Sequence, residues 1–273
     1  MSDEVVLGVD CGTQSLRAAL YRSDGTPLAE AASPYPTVRS RPNWAEQDPE
    51  DWWTALCAAV PACLREARVS GGDVAAIACD GTSFTGVFCR EDGTPLRPAL
   101  LWMDIRAAEE ARAVEETDDP ALASCGGRIS PEWMLPKAMW VARHEPEVYT
   151  EADRFLEGVD WLIHRLCGRW VTSNSNASGK RHWSPEGGVP AAFYERLGLP
   201  ELAGTGPDDV VLVGEPVGRL TAQAAGALGL TTRCVVSHGG MDGWTVFVGL
   251  DAFRPGGAAL TLGTSTVVVT ETS

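Results

Sequence analysis

The sequence predicts an α/β fold, on three observations. Residues 5–11 and 15–22, VVLGVDC and SLRAALYR, read as two apolar strands around the tight turn Gly12–Gln14. Helical segments with recognisable start signals then alternate with further short apolar runs. The plan of the first hairpin (strand, Gly-Thr, hydroxyl residue, strand) returns in LTLGTSTVVVT at 260–270.

Each element has a local cause. After the Asp24-Gly25 turn, GTPLAEAAS supplies a third strand. Asp48 is a good N-cap for a helix running to about residue 68. Pro49 suits its first position, Glu50 and Asp51 suit the positive end of its dipole, and Pro61 is where it would bend. Two strands follow over about 74–79 and 85–90, joined by polar residues. DIRAAEEARAVEE reads as a charged surface helix, and Ser130-Pro131 starts another, PEWMLPKAMWVARH. GVDWLIHRLCG is a short buried helix closed by Gly168. TAQAAGALGL is a small-residue helix, and RCVVSHGGMDGWTVFVGL a strand, a glycine turn and a helix. No low-complexity linker interrupts the chain, and no domain break is expected before about residue 252.

Composition bounds the function. The 273 residues, 44% hydrophobic and 22% charged, suit one large globular domain or two smaller ones. A net charge of −15, with two lysines among the 22 basic residues, argues against nucleic acid or an anionic membrane as partner. An anionic ligand therefore needs a local device, such as backbone N–H groups or a metal ion. The eight cysteines are scattered without a C-x-x-C pair, which argues against zinc and a disulfide framework and for a reducing cytoplasm. Neither a leader-like N-terminus nor a membrane-spanning apolar run is evident.

The hairpins supply such a device. Glycine lets the backbone approach an anion, and consecutive N–H groups with Thr or Ser hydroxyls ligate phosphate oxygens. Asp10, at the end of the first strand, has the chemistry to hold a magnesium ion directly or through water. The plain alternative is two ordinary Gly-Thr turns. Standard nucleotide fingerprints are absent: Asn174 and Arg181 break a Walker A loop around Lys180, and no G-x-G-x-x-G occurs.

Eight segments in order decide between these readings: VDCGTQSLRAALY, WAEQDPEDWW, DGTSFTGV, PALLWMDIRA, MLPKAMW, DWLIHRLCG, GGMDGW and LTLGTSTVVV. Together they resemble the FGGY carbohydrate kinases of the ribulokinase and xylulokinase kind, and DGTSFTGV with MLPKAMW is most similar to ribulokinase-like members. The resemblance implies the actin/hexokinase-like ATPase superfamily and an RNase H-like domain with a mixed sheet and flanking helices. It also implies a cleft between two domains, with sugar mostly on the first and adenosine mostly on the second. Residues 1–252 are then the N-terminal sugar-binding domain and 253–273 the start of a C-terminal nucleotide-binding domain whose remainder is absent. Such a truncated chain is expected to be inactive alone.

The expected reaction is phosphorylation of a ketopentose, ribulose or xylulose, with ATP and Mg²⁺ as cofactors. Glycerol, another polyol or a hexulose is the alternative substrate, and a non-catalytic sugar-binding module the alternative class. The resemblance makes Asp242, in GGMDGW, the general base and a sugar contact. Asp10 would hold Mg²⁺. Gly12, Thr13, Gln14 and Ser15 would face the transferred phosphate, with Arg17 adding charge or pointing outward. Gly263, Thr264 and Ser265 would bind the β-phosphate side of the nucleotide from the opposite lobe. For the sugar, Thr82 and Ser83 would approach the carbonyl end and Trp102 would pack on the carbon skeleton. Asp104 and Arg106 either contact the sugar or pair with each other. Lys180 matches the ketose-contacting lysine of ribulokinase-like relatives. Glu46 and Gln47 are expected to make structural hydrogen bonds beside Trp44, and Lys137, His182 and His238 to be structural. The expected partners are sugar, ATP and the absent domain, without nucleic acid or membrane; a homodimer is left open.

Overall fold

The computed structural model describes residues 4–250, 257–262 and 266–270. β1 (Val5–Cys11), β2 (Ser15–Arg22) and β3 (Pro27–Pro34) form an antiparallel meander. After the two-residue β4 (Glu46–Gln47), α1 (Pro49–Ala67) begins as expected, with the Asp48 carboxylate accepting the Glu50 N–H at 3.0 Å. It ends at Arg68, which takes the left-handed conformation, φ 56°. β5 (Val74–Gly81) returns beside β1, parallel to it.

Next comes a smaller unit. β6 (Gly86–Cys89), β7 (Ala99–Leu100) and β8 (Arg154–Glu157) join β4 in a second sheet, in the order β4-β7-β6-β8. α2 (Ala108–Glu115), α3 (Met134–His144) and α4 (Pro146–Glu151) lie between β7 and β8 in the chain. Their core is distinct: Phe88, Leu100, Leu135, Met139 and Phe155 are buried together, and Phe88 stacks on Phe155 at 4.2 Å. This second sheet was not anticipated. The expectation of a helix from Ser130-Pro131 is corrected as well. The Ser130 hydroxyl accepts the Glu132 N–H, Trp133 stays extended at ψ 162°, and α3 starts at Met134. The hydroxyl has taken the backbone into a turn before the helix begins.

α5 (Gly158–Cys167) is closed by Gly168 at φ 72°. β9 (Val171–Ser173), α6 (Asn174–Lys180), α7 (Ala191–Arg196) and β10 (Asp209–Val211) follow, then β11 (Pro216–Arg219) and α8 (Ala222–Leu228). β12 (Val235–Met241) pairs parallel with β5 and antiparallel with β11. α9 (Asp242–Gly249) follows without a loop. The main sheet therefore runs β11-β12-β5-β1-β2-β3, a mixed sheet. β13 (Ala258–Leu262) and β14 (Thr266–Thr270) form the antiparallel hairpin expected near the end of the chain and meet α9.

α1 and α5 cover one face of the main sheet, and α8 packs against both helices. Val5, Leu7, Val9 and Cys11 of β1 are buried with Leu16, Ala18 and Leu20 of β2 and with Trp52, Leu56, Trp161 and Leu228 of the helices. The alternation expected of a strand follows: Val6, Gly8 and Asp10 are half-buried and face the other way. Each large side chain buried here contributes about 1.5–3 kcal/mol, so this face is a major source of stability. No helix of the described residues is long and apolar enough to cross a membrane.

The expected glycine turn before Asp242 is also corrected. Gly239 and Gly240 lie inside β12, which carries a bulge there, with Gly240 at φ 135°. A Cβ on Gly239 would stand 2.5 Å from the Cys79 carbonyl oxygen. Glycine is needed because the bulged strand presses against its neighbour, and the bulge re-aims the chain directly into α9.

Candidate active site

The parallel strands β1, β5 and β12 end at one edge of the sheet. In their shared register Asp10 lies beside Asp80, and Asp80 beside Gly240, two residues before Asp242. Three carboxylates thus gather where an open α/β sheet ordinarily receives its ligand, at the carboxyl ends of its strands.

Their electrostatics record the crowding. Burial pushes the Asp80 carboxyl up to about 7; the Asp10 and Asp242 charges add to the rise and the Thr245 hydroxyl opposes it. Burial also raises Asp10, against the pull of the Arg17 guanidinium. Asp80 Oδ2 accepts the Thr245 hydroxyl, which also approaches the Asp242 carbonyl at 3.0 Å, while Asp80 Oδ1 is buried without a hydrogen-bond partner. The first turn of α9 is thereby tied to the end of β5. Asp242 is the first residue of that helix and accepts the Gly243 N–H at 2.6 Å, at the end where the helix dipole favours a carboxylate.

The Gly-Thr turn adjoins this edge. Gly12 N–H donates to the Ser15 carbonyl at 3.2 Å, and the Tyr35 hydroxyl donates to the Gly12 carbonyl. Arg17 pairs with Asp10 at 3.2 Å, and a Cβ on Gly12 would stand 3.2 Å from its guanidinium. Of the two readings of Arg17, its side chain is exposed yet lies over the turn. Gln14 is exposed, and Thr13 and Ser15 are half-buried. Trp102 donates its indole N–H to the Thr13 hydroxyl at 3.1 Å, so one ring borders the turn. Gln47 donates to the Thr13 carbonyl and the Thr37 hydroxyl and accepts the Trp52 indole N–H at 2.8 Å.

Thr82 and Ser83 leave the end of β5 one and two residues past Gly81. The Thr82 N–H donates to the Cys11 carbonyl at 3.2 Å, and its hydroxyl meets that of Thr85 at 2.9 Å. Both residues stand partly exposed beside the Gly-Thr turn. Asp104 and Arg106 are placed otherwise. Asp104 is fully buried and accepts the Ala45 N–H at 2.7 Å and the Arg106 guanidinium at 2.6 Å. Arg106 lies 3.7 Å from the Trp44 ring centroid and pairs with Glu46 at 2.9 Å. A guanidinium 1% exposed has no open sugar to contact, so the pair fixes its loop.

Lys180 is the last residue of α6, whose N-terminal end packs beside Gly240. Gly263, Thr264 and Ser265 lie outside the described residues. His238 is fully buried against Asp160 at 2.8 Å, and Lys137 is fully buried. Asp80 and Thr245 were not singled out in the sequence. One signal pointed to Asp80: it precedes Gly81-Thr82 at a strand end much as Asp10 precedes Gly12-Thr13.

The N-terminal domain of the FGGY family of carbohydrate kinases matches residues 5–249. The chain belongs to the FGGY family. It is 31% identical to a ribulokinase of Geobacillus thermodenitrificans, over 97% of this FGGY chain and 52% of that kinase. It is also 31% identical to a xylulose kinase of Escherichia coli K12, over 96% of this chain and 53% of the other. Among solved structures, a "xyloylose kinase" from Brucella ovis superposes with a TM-score of 0.86 at 28% identity, covering 97% of this chain and 54% of that one. The fold is that of the actin/hexokinase-like ATPases. This FGGY chain spans about half the length of the curated relatives it matches.

Proposed function

We propose that the chain is the sugar-binding half of an ATP-dependent kinase for a ketopentose, ribulose or xylulose. The observation that carries this is the gathering of Asp10, Asp80 and Asp242 at one sheet edge beside the Gly-Thr turn. Phosphoryl transfer asks little covalent chemistry of a protein; it asks for alignment, neutralisation of charge and a group to take the hydroxyl proton.

In this reading the Asp242 carboxylate accepts the proton of the attacking sugar hydroxyl. The Gly243 N–H donates to its Oδ1 and orients the group. Gly12, Thr13, Gln14 and Ser15 offer backbone N–H groups and hydroxyls to the transferred phosphate, and Arg17 adds positive charge above the turn. Thr82, Ser83 and Lys180 bind the ketose, and Trp102 packs on its carbons from beside Thr13.

The residues fit a magnesium ion. Asp10 would hold it with Asp80 alongside, because a buried carboxylate oxygen without a partner suits a hard cation. The ion would neutralise phosphate charge. Adenosine binding, and the role of Gly263, Thr264 and Ser265, fall to the opposite lobe, so the chain alone is expected to bind sugar without turnover.

Coupled ADP-release assays on the protein containing this chain, across pentuloses, hexuloses and polyols, test the reading. Release is expected with a ketopentose above the rest of the panel. No sugar-dependent release from any of them would overturn it.

A further inference from the structure

Phe84 has φ +57°, a left-handed conformation that is strained for a bulky side chain. It follows Ser83 in the segment that crosses from β5 of the main sheet to β6 of the second. Two buried charges hold it there. Glu157, 3% exposed, accepts the Phe84 N–H on one oxygen and the Thr85 N–H on the other, both at 3.1 Å. Lys137, 0% exposed, donates to the Phe84 carbonyl at 2.7 Å.

The same ammonium donates to the Leu101 carbonyl at 2.6 Å. One buried cation therefore joins the segment carrying Thr82 and Ser83 to the segment carrying Trp102. The Phe84 ring stacks on Trp133, 5.4 Å away and 7° from parallel, just ahead of the helix that presents Lys137. From Glu157 the network continues. Asp160 caps the Glu157 N–H and holds His238 at 2.8 Å, within the strand that ends one residue before Asp242.

Burying an ammonium and a carboxylate is expensive, and apolar residues generally fill such space at lower cost. A relaxed backbone would also cross between two sheets without strain. Strain and buried charge coincide here at the one crossing that carries candidate sugar contacts.

We propose that Lys137 and Glu157 are positioning residues for the sugar: they hold the strained Phe84 turn so that Thr82, Ser83 and Trp102 keep a fixed spacing before substrate arrives. The inference rests on the sugar-kinase reading above and adds to it a preorganised binding loop.

Calorimetric titration of ribulose and xylulose into the chain tests it, with every variant kept at a temperature where circular dichroism shows it folded. Lys137→Met and Glu157→Gln are expected to weaken sugar binding about tenfold or more. Phe84→Gly accepts the positive φ without strain and leaves both buried charges in place, so it is a second, independent probe, and it is expected to weaken binding to a similar extent by loosening the turn. Leu228→Ala, a cavity in the distant α8, controls for lost stability alone and is expected to leave the affinity unchanged. Wild-type affinity in Phe84→Gly and in whichever clamp variants fold, or an equal loss in Leu228→Ala, would overturn the positioning role and leave the kinase reading standing. Absence of binding by the wild-type chain would overturn the proposal that this chain is by itself the sugar-binding half, and the positioning role with it.

Discussion

Asp80 shows how much one position depends on its neighbours. Burial beside Asp10 and Asp242 pushes its carboxyl up to about 7, from an ordinary aspartate value of 3.8. A carboxyl raised on folding binds its proton more tightly in the native state. Its stabilising contribution is therefore complete below about pH 4 and is lost as pH rises through about 7. In metal-free buffer, urea unfolding should show stability falling across that window, and Asp80→Asn should flatten the fall. An unchanged slope in the variant would show that Asp80 is not the titrating group. Asp104 and Arg106 teach the opposite lesson. A charged pair two residues apart reads equally as ligand contacts or as an internal brace, and only burial between Trp44, Ala45 and Glu46 separates the two.

At the scale of elements, the bulge in β12 is what delivers Asp242 to the sheet edge. Gly239 has no room for a side chain, whereas a Cβ on Gly243, inside α9, would meet nothing within 4 Å. Gly239→Ala should lower stability by about 1–3 kcal/mol through overpacking, while Gly243→Ala should be neutral or slightly stabilising. Thermal unfolding of the two side by side checks this, and equal effects would contradict it. The same elements show what was legible in the sequence. α1 could be read residue by residue because its cap, its Pro49 and its first-turn acids are local signals. The opening hairpin was legible because apolar residues alternate around a turn. The bulge was not, because a glycine pair means a turn or a close approach depending on what lies alongside, and Cys79 is remote in sequence. The second sheet was hidden for a related reason: β4 and β7 are two residues long, too short for any periodicity to show.

At the scale of the whole molecule, the order of the sheet turns scattered residues into one site. Asp10, Asp80 and Asp242 are separated by long stretches of chain, and parallel pairing of β1, β5 and β12 aligns them. The sequence motifs indicated Asp10 and Asp242 and, through family resemblance, their kinship with sugar kinases. The tie from Asp80 through Thr245 to the start of α9 required the coordinates. The buried charges Lys137, Glu157 and Asp160 extend this logic beneath the site, connecting the loops that would hold sugar with the strand that leads to Asp242.

The central claim is that Asp242 takes the proton from the sugar hydroxyl at this edge. Its most direct test is the turnover of Asp242→Ala in the protein containing this chain, measured by ADP release with the best ketopentose and paired with a calorimetric Kd for that sugar. The expected result is turnover reduced about 10²–10⁴-fold, the usual span of general acid–base catalysis, with the Kd changed only a few-fold. Near-wild-type turnover in that variant would contradict the account.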